Sequence, residues 1–340
     1  MNREIEKFKE ALKKIQINNQ KVEVPTPYTG DVVAELEKSH VGFKEEKEKF
    51  ADYIKLYLET GGNFSPTREV ICFVGAPGTG KTTFALALAK VMGREHKIIP
   101  CAGLKELNIL GDKSDRPSMV GEVINEKECN NPIIILDELE KVEKGSQIQK
   151  DLIELFEKYK KGEKFLDQYY DGEEVSLDHI TFIATVNYPE WLAPSLKEKL
   201  AMNYLKDYSD EEKEKILNNK AKQIEEDLQD IFGNKINFPT EIIKWLPKHI
   251  HGVGVRPAER VLIELKKRIV HGQIIDKSFT LSNSKQWLKD NVLAYQEKFS
   301  PQPKHYLLFG LWAISLILIL VVVIKKVILR KKDSNESRTK

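Results

Sequence analysis

The sequence predicts an α/β protein in which a parallel-sheet domain is followed by a small α-helical domain and one C-terminal transmembrane helix. Three observations support this prediction. Short apolar runs, such as residues 70–74 and 133–136, end at glycine or acidic residues, which is typical of strands covered on both faces of a parallel sheet. Apolar residues recur with a helical period over residues 210–270. Residues 306–324 contain no charged side chain, and about 20 such residues span a bilayer as a helix.

The composition is that of a globular protein with a sizeable core, because 41% of the 340 residues are apolar. Residues 305–340 carry a net charge of +5, which leaves −3 on residues 1–304. A mildly acidic body argues against a large basic binding face, so we expect no nucleic-acid partner. The cysteines are odd in number and lack Cys-x-x-Cys spacing, which predicts free buried thiols in a reducing compartment: Cys72, Cys101 and Cys129.

Changes in composition divide the chain into segments. Ile5, Phe8 and Leu12 fall on one helical face, which predicts an amphipathic helix that packs against its own domain, and Pro25-Thr26-Pro27 marks a linker. The predicted segments are 1–30, N-terminal helix and linker; 31–206, α/β domain; 207–293, helical domain; 294–304, linker; 305–329, transmembrane helix; and 330–340, basic polar tail. Within the helical domain we predict helices over 210–217, 221–232, 240–249 and 257–270.

A phosphate-binding loop follows the first strand of the α/β domain. Residues 75–82 match the pattern G-x-x-x-x-G-K-[ST], with a strand before it and a helix after it, which is the context that this motif requires. The glycines let the backbone approach phosphates, Lys81 is expected to reach the β- and γ-phosphates, and Thr82 is expected to ligate Mg²⁺. The predicted ATP-binding residues of this segment are Gly75, Ala76, Pro77, Gly78, Thr79, Gly80, Lys81, Thr82 and Thr83.

Two carboxylates, Asp137 and Glu138, end the apolar strand at residues 133–138. Beside a phosphate loop, Asp137 is expected to hold Mg²⁺ and Glu138 to activate the attacking water. The alternative is a solvated acidic turn that opens the next helix, since Glu140 and Glu143 continue the charge. A third strand ends near Asn187, which either orients the water or simply forms a turn before Tyr188-Pro189.

Over residues 31–293 the chain resembles AAA+ ATPases, and within them the ATPase module of Lon proteases. The landmarks occur in order: His40-Val41-Gly42-Phe43, the phosphate loop, Asp137-Glu138, Phe182 to Asn187, and Gly254 to Arg260. The resemblance implies that His40, Val41 and Gly42 lie against adenine and that Arg256 reaches the γ-phosphate from the helical domain. It also implies a hexameric homo-oligomeric ring with ATP·Mg²⁺ between subunits and a polypeptide substrate.

The chain departs from that family in three places. No Ser-Lys proteolytic domain follows the helical domain in this sequence, so we expect no peptidase activity and expect any proteolysis to need a separate peptidase. Residues 193–200, where the family has an arginine finger, offer only Lys197 and Lys199. Met119-Val120-Gly121 takes the place of the pore loop that grips polypeptide, and is otherwise an ordinary loop with one exposed Met.

The transmembrane prediction carries an orientation problem. The alternative is a buried core helix, which the basic residues after it disfavour. The excess of Lys and Arg after residue 324 favours a cytoplasmic tail, whereas an ATPase without a leader is expected to stay in the cytoplasm. We therefore predict a single-pass membrane protein with its ATPase domain on the cytoplasmic side.

Together these features predict a membrane-anchored ATPase that remodels, unfolds or extracts proteins. Two alternatives remain open: an ATP-binding membrane scaffold with little turnover, and a subunit that delivers substrates to a peptidase. The intact carboxylates at Asp137 and Glu138 favour turnover, and the missing arginine favours the scaffold.

Overall fold

The computed structural model describes residues 2–17, 20–22, 30–59, 68–102, 108–110, 116–233, 238, 240–250 and 252–270. All of them belong to one compact unit, Met1–His271, and the second unit, Gly272–Lys340, lies outside the described residues. The predicted linker, transmembrane helix and basic tail are therefore also outside them. Within the described ranges, no helix combines the length and apolar character needed to cross a bilayer.

Among the described residues, strands and helices are interspersed up to residue 204, and only helices follow from residue 210 to residue 270. The helices are α1 (Asn2–Ala11), α2 (Val32–Ser39), α3 (Lys44–Glu59), α4 (Lys81–Val91), α5 (Met119–Lys127), α6 (Gln147–Lys161), α7 (Pro194–Lys197), α8 (Asp210–Phe232), α9 (Thr240–His249) and α10 (Arg256–Val270). The strands are β1 (Ile15–Ile17), β2 (Gln20–Val22), β3 (Val70–Val74), β4 (His96–Pro100), β5 (Ile133–Asp137), β6 (Phe165–Asp167), β7 (Glu173–Val175), β8 (Thr181–Val186) and β9 (Leu200–Tyr204).

A five-stranded parallel sheet in the order β4-β5-β8-β3-β9 is the centre of the fold. Every residue of β3 is buried, because side chains point alternately into a core on each face of the sheet. Cys72 and Val74 join one core cluster, and Ile71 and Phe73 join the other. The prediction of a parallel α/β sheet is confirmed, and the three cysteines are buried as expected.

The helical part differs from prediction in one respect. We predicted two helices over 210–217 and 221–232, but α8 runs through as a single 23-residue helix. Its buried side chains, Leu217, Ala221, Ile224 and Leu228, keep one apolar face across the polar residues between the predicted helices. Continuous burial on one face therefore outweighs the low helix propensity of Asn218 and Asn219.

Helix α1 packs against the α/β domain, as its amphipathic pattern predicts. Phe8 is fully buried and stacks on Tyr170 with ring centroids 3.8 Å apart. Asn130 donates from its side chain to the carbonyl of Leu12 at 2.8 Å, which ties the end of the helix to the turn after α5. The helix is thus part of the domain's own core.

Candidate nucleotide-binding site

A cavity of about 430 Å³ opens where β3, β5 and β8 end, and reaches helices α8 and α10. Ligands of open parallel sheets bind at this carboxyl edge. The predicted site residues that line it are His40, Val41, Gly78, Gly80, Lys81, Thr82, Thr83, Asp137, Glu138, Asn187 and Arg256. The structure thus brings together residues that lie far apart in the sequence.

The phosphate loop connects β3 to α4 in the conformation that its glycines require. Gly78 and Gly80 have φ angles of 86° and 83°, in the left-handed region where a Cβ is disfavoured. Thr79 is buried and its hydroxyl donates to the carbonyl of Ala76 at 2.9 Å, which closes the turn. Gly75 and Ala76 contribute backbone carbonyls, whereas Pro77 is exposed and lies outside the cavity lining.

Lys81 lies at the first position of α4 with its side chain folded under the loop. Its Nζ donates to the carbonyls of Gly75 at 2.7 Å and Ala76 at 2.9 Å, and only 5% of the residue is exposed. Burial lowers the pKa of its amine to about 8, an effect that the nearby carboxylate of Glu140 opposes. A partly dehydrated ammonium at this point is suited to bind phosphate oxygens.

Thr82, in the first turn of α4, contacts Asp137 at the end of β5. The Thr82 hydroxyl donates to Oδ1 of Asp137 at 2.7 Å. A hydroxyl and a carboxylate are the oxygen ligands that Mg²⁺ takes beside nucleotide phosphates, so these two residues fit the predicted metal site. The metal would neutralise phosphate charge there.

Thr185 is a site residue that sequence reasoning missed. The register pairs Leu136 with Ala184, which places Thr185 beside Asp137. Its hydroxyl donates to Oδ1 of Asp137 at 2.7 Å and accepts from the backbone N–H of Glu138 at 3.0 Å. A hydroxyl two residues before Asn187, between the apolar residues Ala184 and Val186, is the signal that could have revealed it.

Glu138 and Asn187 come into contact, in agreement with their placement at adjacent strand ends. Asn187 donates from Nδ2 to Oε1 of Glu138 at 3.3 Å. Glu138 has a left-handed φ of 57°, and a 3₁₀ turn, Leu139–Lys141, follows it. The turn buries Glu140, which is 5% exposed, so the acidic turn open to solvent that was the alternative to a site is not what the structure shows.

The opposite end of the cavity is formed by the loop between α2 and α3. His40 is 7% exposed, and its Nε2 lies 3.2 Å from the hydroxyl of Tyr208, which precedes α8. Burial, and then the charge of Lys47, lower the pKa of His40 to about 4, so the ring is neutral at pH 7. Gly42 has a φ of 84°, and a Cβ there would lie 2.9 Å from the Tyr208 ring. Tyr208 is a second residue that sequence reasoning missed.

A buried cation holds this loop. Lys47 is fully buried, and its Nζ donates to the carbonyl of His40 at 2.5 Å and pairs with Glu37 at 2.9 Å. A buried ammonium is costly unless it is paired and hydrogen-bonded, and both conditions are met. Lys47 therefore fixes the backbone at this end of the cavity. We call it the base end, because the adenine base is expected beside His40.

Arg256 begins α10 and faces the phosphate loop. The backbone N–H of Val255 donates to the carbonyl of Gly78 at 3.3 Å, and the N–H of Gly254 donates to Oδ1 of Asp207 at 2.9 Å. The first bond joins the start of α10 to the phosphate loop, and the second joins it to the segment before α8. Arg256 lines the same cavity as Lys81. This placement agrees with the predicted role of Arg256 toward a phosphate.

The prediction of an exposed gripping loop at Met119 and Val120 is wrong. Both residues lie in the first turn of α5, with exposures of 2% and 0%, and belong to the core cluster. Ser118 caps the helix by accepting from the N–H of Gly121 at 2.9 Å, and buried Asp167 accepts from the Ser118 hydroxyl at 2.5 Å. This cap turns a loop-like sequence into a packed helix.

The two candidate cations of the arginine-finger segment differ in their surroundings. Lys199 pairs with Glu157 of α6 at 2.7 Å. Lys197, at the end of α7, is exposed, and no ion pair forms at this side chain within the described part of the chain.

Comparison with known proteins agrees with this geometry. Residues 71–208 match the family described as ATPase family associated with various cellular activities (AAA). Residues 71–208 form an AAA domain. This range includes residues 71–74 of β3, the phosphate loop, both carboxylates and Asn187. The loop, the carboxylates and Asn187 form the end of the cavity where phosphates are expected, the phosphate end.

The relatives that align with a longer part of the chain are Lon proteases. The Lon protease of Mycoplasma genitalium is 29% identical over 275 residues, which cover 77% of this chain and 34% of the relative. The Lon protease of Syntrophus aciditrophicus is 32% identical over 193 residues, covering 53% and 23%. The peroxisomal Lon protease homolog 2 of Caenorhabditis briggsae is 32% identical over 191 residues, covering 54% and 24%. The chain thus spans about a third or less of the length of these relatives, and its AAA domain is related to their ATPase region.

Proposed function

We propose that this protein binds and hydrolyses ATP with Mg²⁺, and that it couples hydrolysis to the remodelling, unfolding or extraction of proteins at a membrane. The convergence of Lys81, Thr82, Asp137, Glu138 and Asn187 at one sheet edge is the observation that carries this proposal. Lys81 would bind the phosphates, Thr82 and Asp137 would hold the metal, and Glu138 would activate the water.

Two features support turnover rather than binding alone. Glu138 lies beside Asp137 with its carboxylate within hydrogen-bond reach of Asn187, the arrangement expected of a general base and an orienting amide. Arg256 lines the cavity opposite the strand ends and would add positive charge toward the γ-phosphate.

The proposed ATP-hydrolysis site also needs a cation from a neighbouring subunit. We propose a homo-oligomeric ring, hexameric by its likeness to Lon proteases, in which Lys197 projects toward the next subunit's cavity. Lys197 is the better candidate because Lys199 is already paired with Glu157. A lysine makes no planar bidentate contact with phosphate, so this cation would accelerate hydrolysis less than an arginine.

An ATP-binding scaffold with little turnover is the second candidate function. It is favoured by the same observation, the absence of arginine from residues 193–200. A substrate-delivery subunit for a separate peptidase is a further form of the first proposal, because the relatives' own names are those of proteases.

ATP hydrolysis by the full chain decides between motor and scaffold. We would measure turnover over a range of protein concentrations for the unsubstituted chain, Lys81→Ala and Glu138→Gln. Lys90→Ala and Glu143→Gln are controls for the loss of a lysine and of a glutamate charge, since both side chains are exposed and neither lines the cavity. The motor predicts turnover that rises with concentration and is lost only in the first two variants.

Two results would contradict the motor. Tight ATP binding without hydrolysis at any concentration would leave the scaffold as the function. Equal loss in the two control variants would show that turnover does not depend specifically on Lys81 and Glu138, which contradicts their proposed roles. Lys197→Ala and Lys199→Ala then test the ring: we expect the first to reduce turnover at high protein concentration and the second to have little effect.

The membrane anchor needs its own experiment. We propose that residues 305–329 span the membrane with the ATPase domain on the cytoplasmic side. Flotation with phospholipid vesicles should carry the full chain but leave a chain ending at residue 304 in solution. Equal flotation of both, or of neither, would remove the anchor from the proposal.

A further inference from the structure

Glu140 is a buried carboxylate to which the proposed reaction gives no role. The 3₁₀ turn Leu139–Lys141 returns the chain toward the end of β8, and the left-handed conformation of Glu138 makes this return possible. Only 5% of Glu140 is exposed. A carboxylate removed from water is costly unless hydrogen bonds or charges compensate it. Its surroundings should therefore show what it does.

The hydrogen bonds of Glu140 all go to one residue among those described. The backbone N–H of Asn187 and its side-chain Nδ2 donate to the same oxygen, Oε1, at 3.1 and 2.9 Å. The same Nδ2 donates to Oε1 of Glu138 at 3.3 Å. An amide has one donor end and one acceptor end, so the bond to Glu140 determines which end faces Glu138.

A purely structural role is the alternative, because these bonds also tie the turn after β5 to the end of β8. Two observations favour a role in the site. Oε2 of Glu140 is shielded from water and has no hydrogen-bond partner within the described ranges, so the fold leaves this carboxylate half satisfied. The amide of Asn187 that Glu140 binds also lines the cavity beside Asp137 and Glu138.

We propose that Glu140 is a positioning residue that holds the Asn187 amide with its donor end toward Glu138, and so keeps the Glu138 carboxylate in place at the end of β5. Glu140 would act through Asn187 and would not touch the nucleotide. The inference rests on the proposed ATP hydrolysis, in which Glu138 is the base.

The test uses the full chain and separates reach from charge. Glu140→Gln keeps the reach of the side chain and an acceptor oxygen, whereas Glu140→Asp keeps the charge and is one CH₂ shorter. We expect Glu140→Asp and Glu140→Ala to lower kcat about 10- to 100-fold while the Kd for ATP stays within about threefold, as for other groups that orient a reacting side chain. Glu140→Gln should keep most of the turnover. Glu143→Gln is the matched control for loss of a nearby charge.

A double-variant cycle with Asn187→Ala shows whether Glu140 acts through that residue. Once Asn187 is removed, Glu140→Ala should lower kcat no further, because residues that act as a unit are not additive. Additive losses, or turnover retained in Glu140→Asp and lost in Glu140→Gln, would overturn the positioning role. Thermal midpoints of all variants identify any that fail to fold, and the Gln and Asp pair still decides if Ala does.

The result also separates this inference from the proposed function. If the unsubstituted chain hydrolyses ATP and Glu140→Ala does so equally well, only the positioning role fails. If the unsubstituted chain binds ATP without hydrolysis, both fail together.

Discussion

The two ends of the cavity are built in different ways. At the phosphate end, Lys81 follows β3 after the phosphate loop, Asp137 ends β5, and Asn187 comes directly after β8, so short motifs place them. At the base end, His40 comes from a loop between two helices and Tyr208 from a segment 168 residues away, and they meet through packed rings. The phosphate end is predictable from sequence because its residues lie at the termini of regular strands. The base end depends on how helices and loops pack.

Gly80 is the point where the two ends touch. It belongs to the phosphate loop, yet a Cβ built on it would overlap the hydroxyl of Tyr208 and lie 3.1 Å from Nε2 of His40. The motif glycine is thus required for two reasons, its φ of 83° and the ring packed against it.

Gly80→Ala should have the largest effect. We expect it to lower the free energy of unfolding by about 4 kcal/mol, of which about 1–2 is the cost of an L residue at positive φ and the rest is overpacking against Tyr208. Urea unfolding without nucleotide measures this loss, and ATP affinity should fall as well.

Two further variants separate the backbone strain at Gly80 from the overpacking against Tyr208. Gly145→Ala is the matched control, because Gly145 has a φ of 79° and nothing within 4 Å of a built Cβ, so it should show the strain alone. Gly80→Ala with Tyr208→Phe removes the overlapping hydroxyl and should recover about 1–2 kcal/mol. Equal losses at Gly80 and Gly145 would mean that the two ends of the cavity do not press on each other.

His40 should make the base end sensitive to acid. At pH 7 the ring is neutral in both folded and unfolded chains and contributes nothing to the pH dependence. Its pKa is about 4 when folded, against 6.5 for an ordinary histidine, so between these values the unfolded chain binds the proton and the folded chain does not. The free energy of unfolding should therefore fall with decreasing pH, by about 3 kcal/mol at pH 4.

Urea unfolding of the unsubstituted chain and of His40→Asn at several pH values between 7 and 4 measures this contribution. Asn carries no titrating group, so the difference between the two chains should shrink as the pH falls. A difference that stays constant with pH would show that His40 is protonated without opening the base end.

Thr185→Val tests the Thr185 clamp, by which we mean the hydrogen bonds of its hydroxyl to Asp137 and to the backbone of Glu138. Valine has nearly the same shape but leaves the Glu138 N–H and an Asp137 oxygen without the hydroxyl, which should cost about 2 kcal/mol in the free energy of unfolding. Thr185→Ser keeps the hydroxyl and is the control. Equal stability of the Val and Ser variants would contradict the clamp.

The smallest expected effect is the pH dependence of ATP binding. The amine of Lys81 has a pKa of about 8, and phosphates bind its charged form, so affinity should be level below pH 8 and fall above it. The expected loss is about tenfold from pH 7 to pH 9, or about 1.4 kcal/mol. Calorimetric titration with ATP measures it. Lys81→Arg stays charged and should give a flat profile; a matching fall in that variant would assign the effect elsewhere.

The outcome of the sequence predictions follows the same division. The strands, the parallel sheet and the residues at the strand ends could be predicted, because an apolar run followed by a motif residue specifies both burial and direction. Thr185 and Glu140 were missed because their importance comes from the register between strands and from a left-handed turn at Glu138. Met119 and Val120 were misplaced because a cap from Ser118 and Asp167 buries them, and Asp167 lies 49 residues from Ser118.

The α/β class, the phosphate loop and the pair of carboxylates at Asp137 and Glu138 can be predicted from sequence, since each depends on residues adjacent in the chain. The polar groups that orient these residues are brought to them by tertiary contacts. Lys47 fixes the base-end loop, Tyr208 covers Gly80, and Glu140 holds Asn187. These contacts join segments that sequence patterns treat as independent, and a buried polar group is stable only where folding supplies its partner.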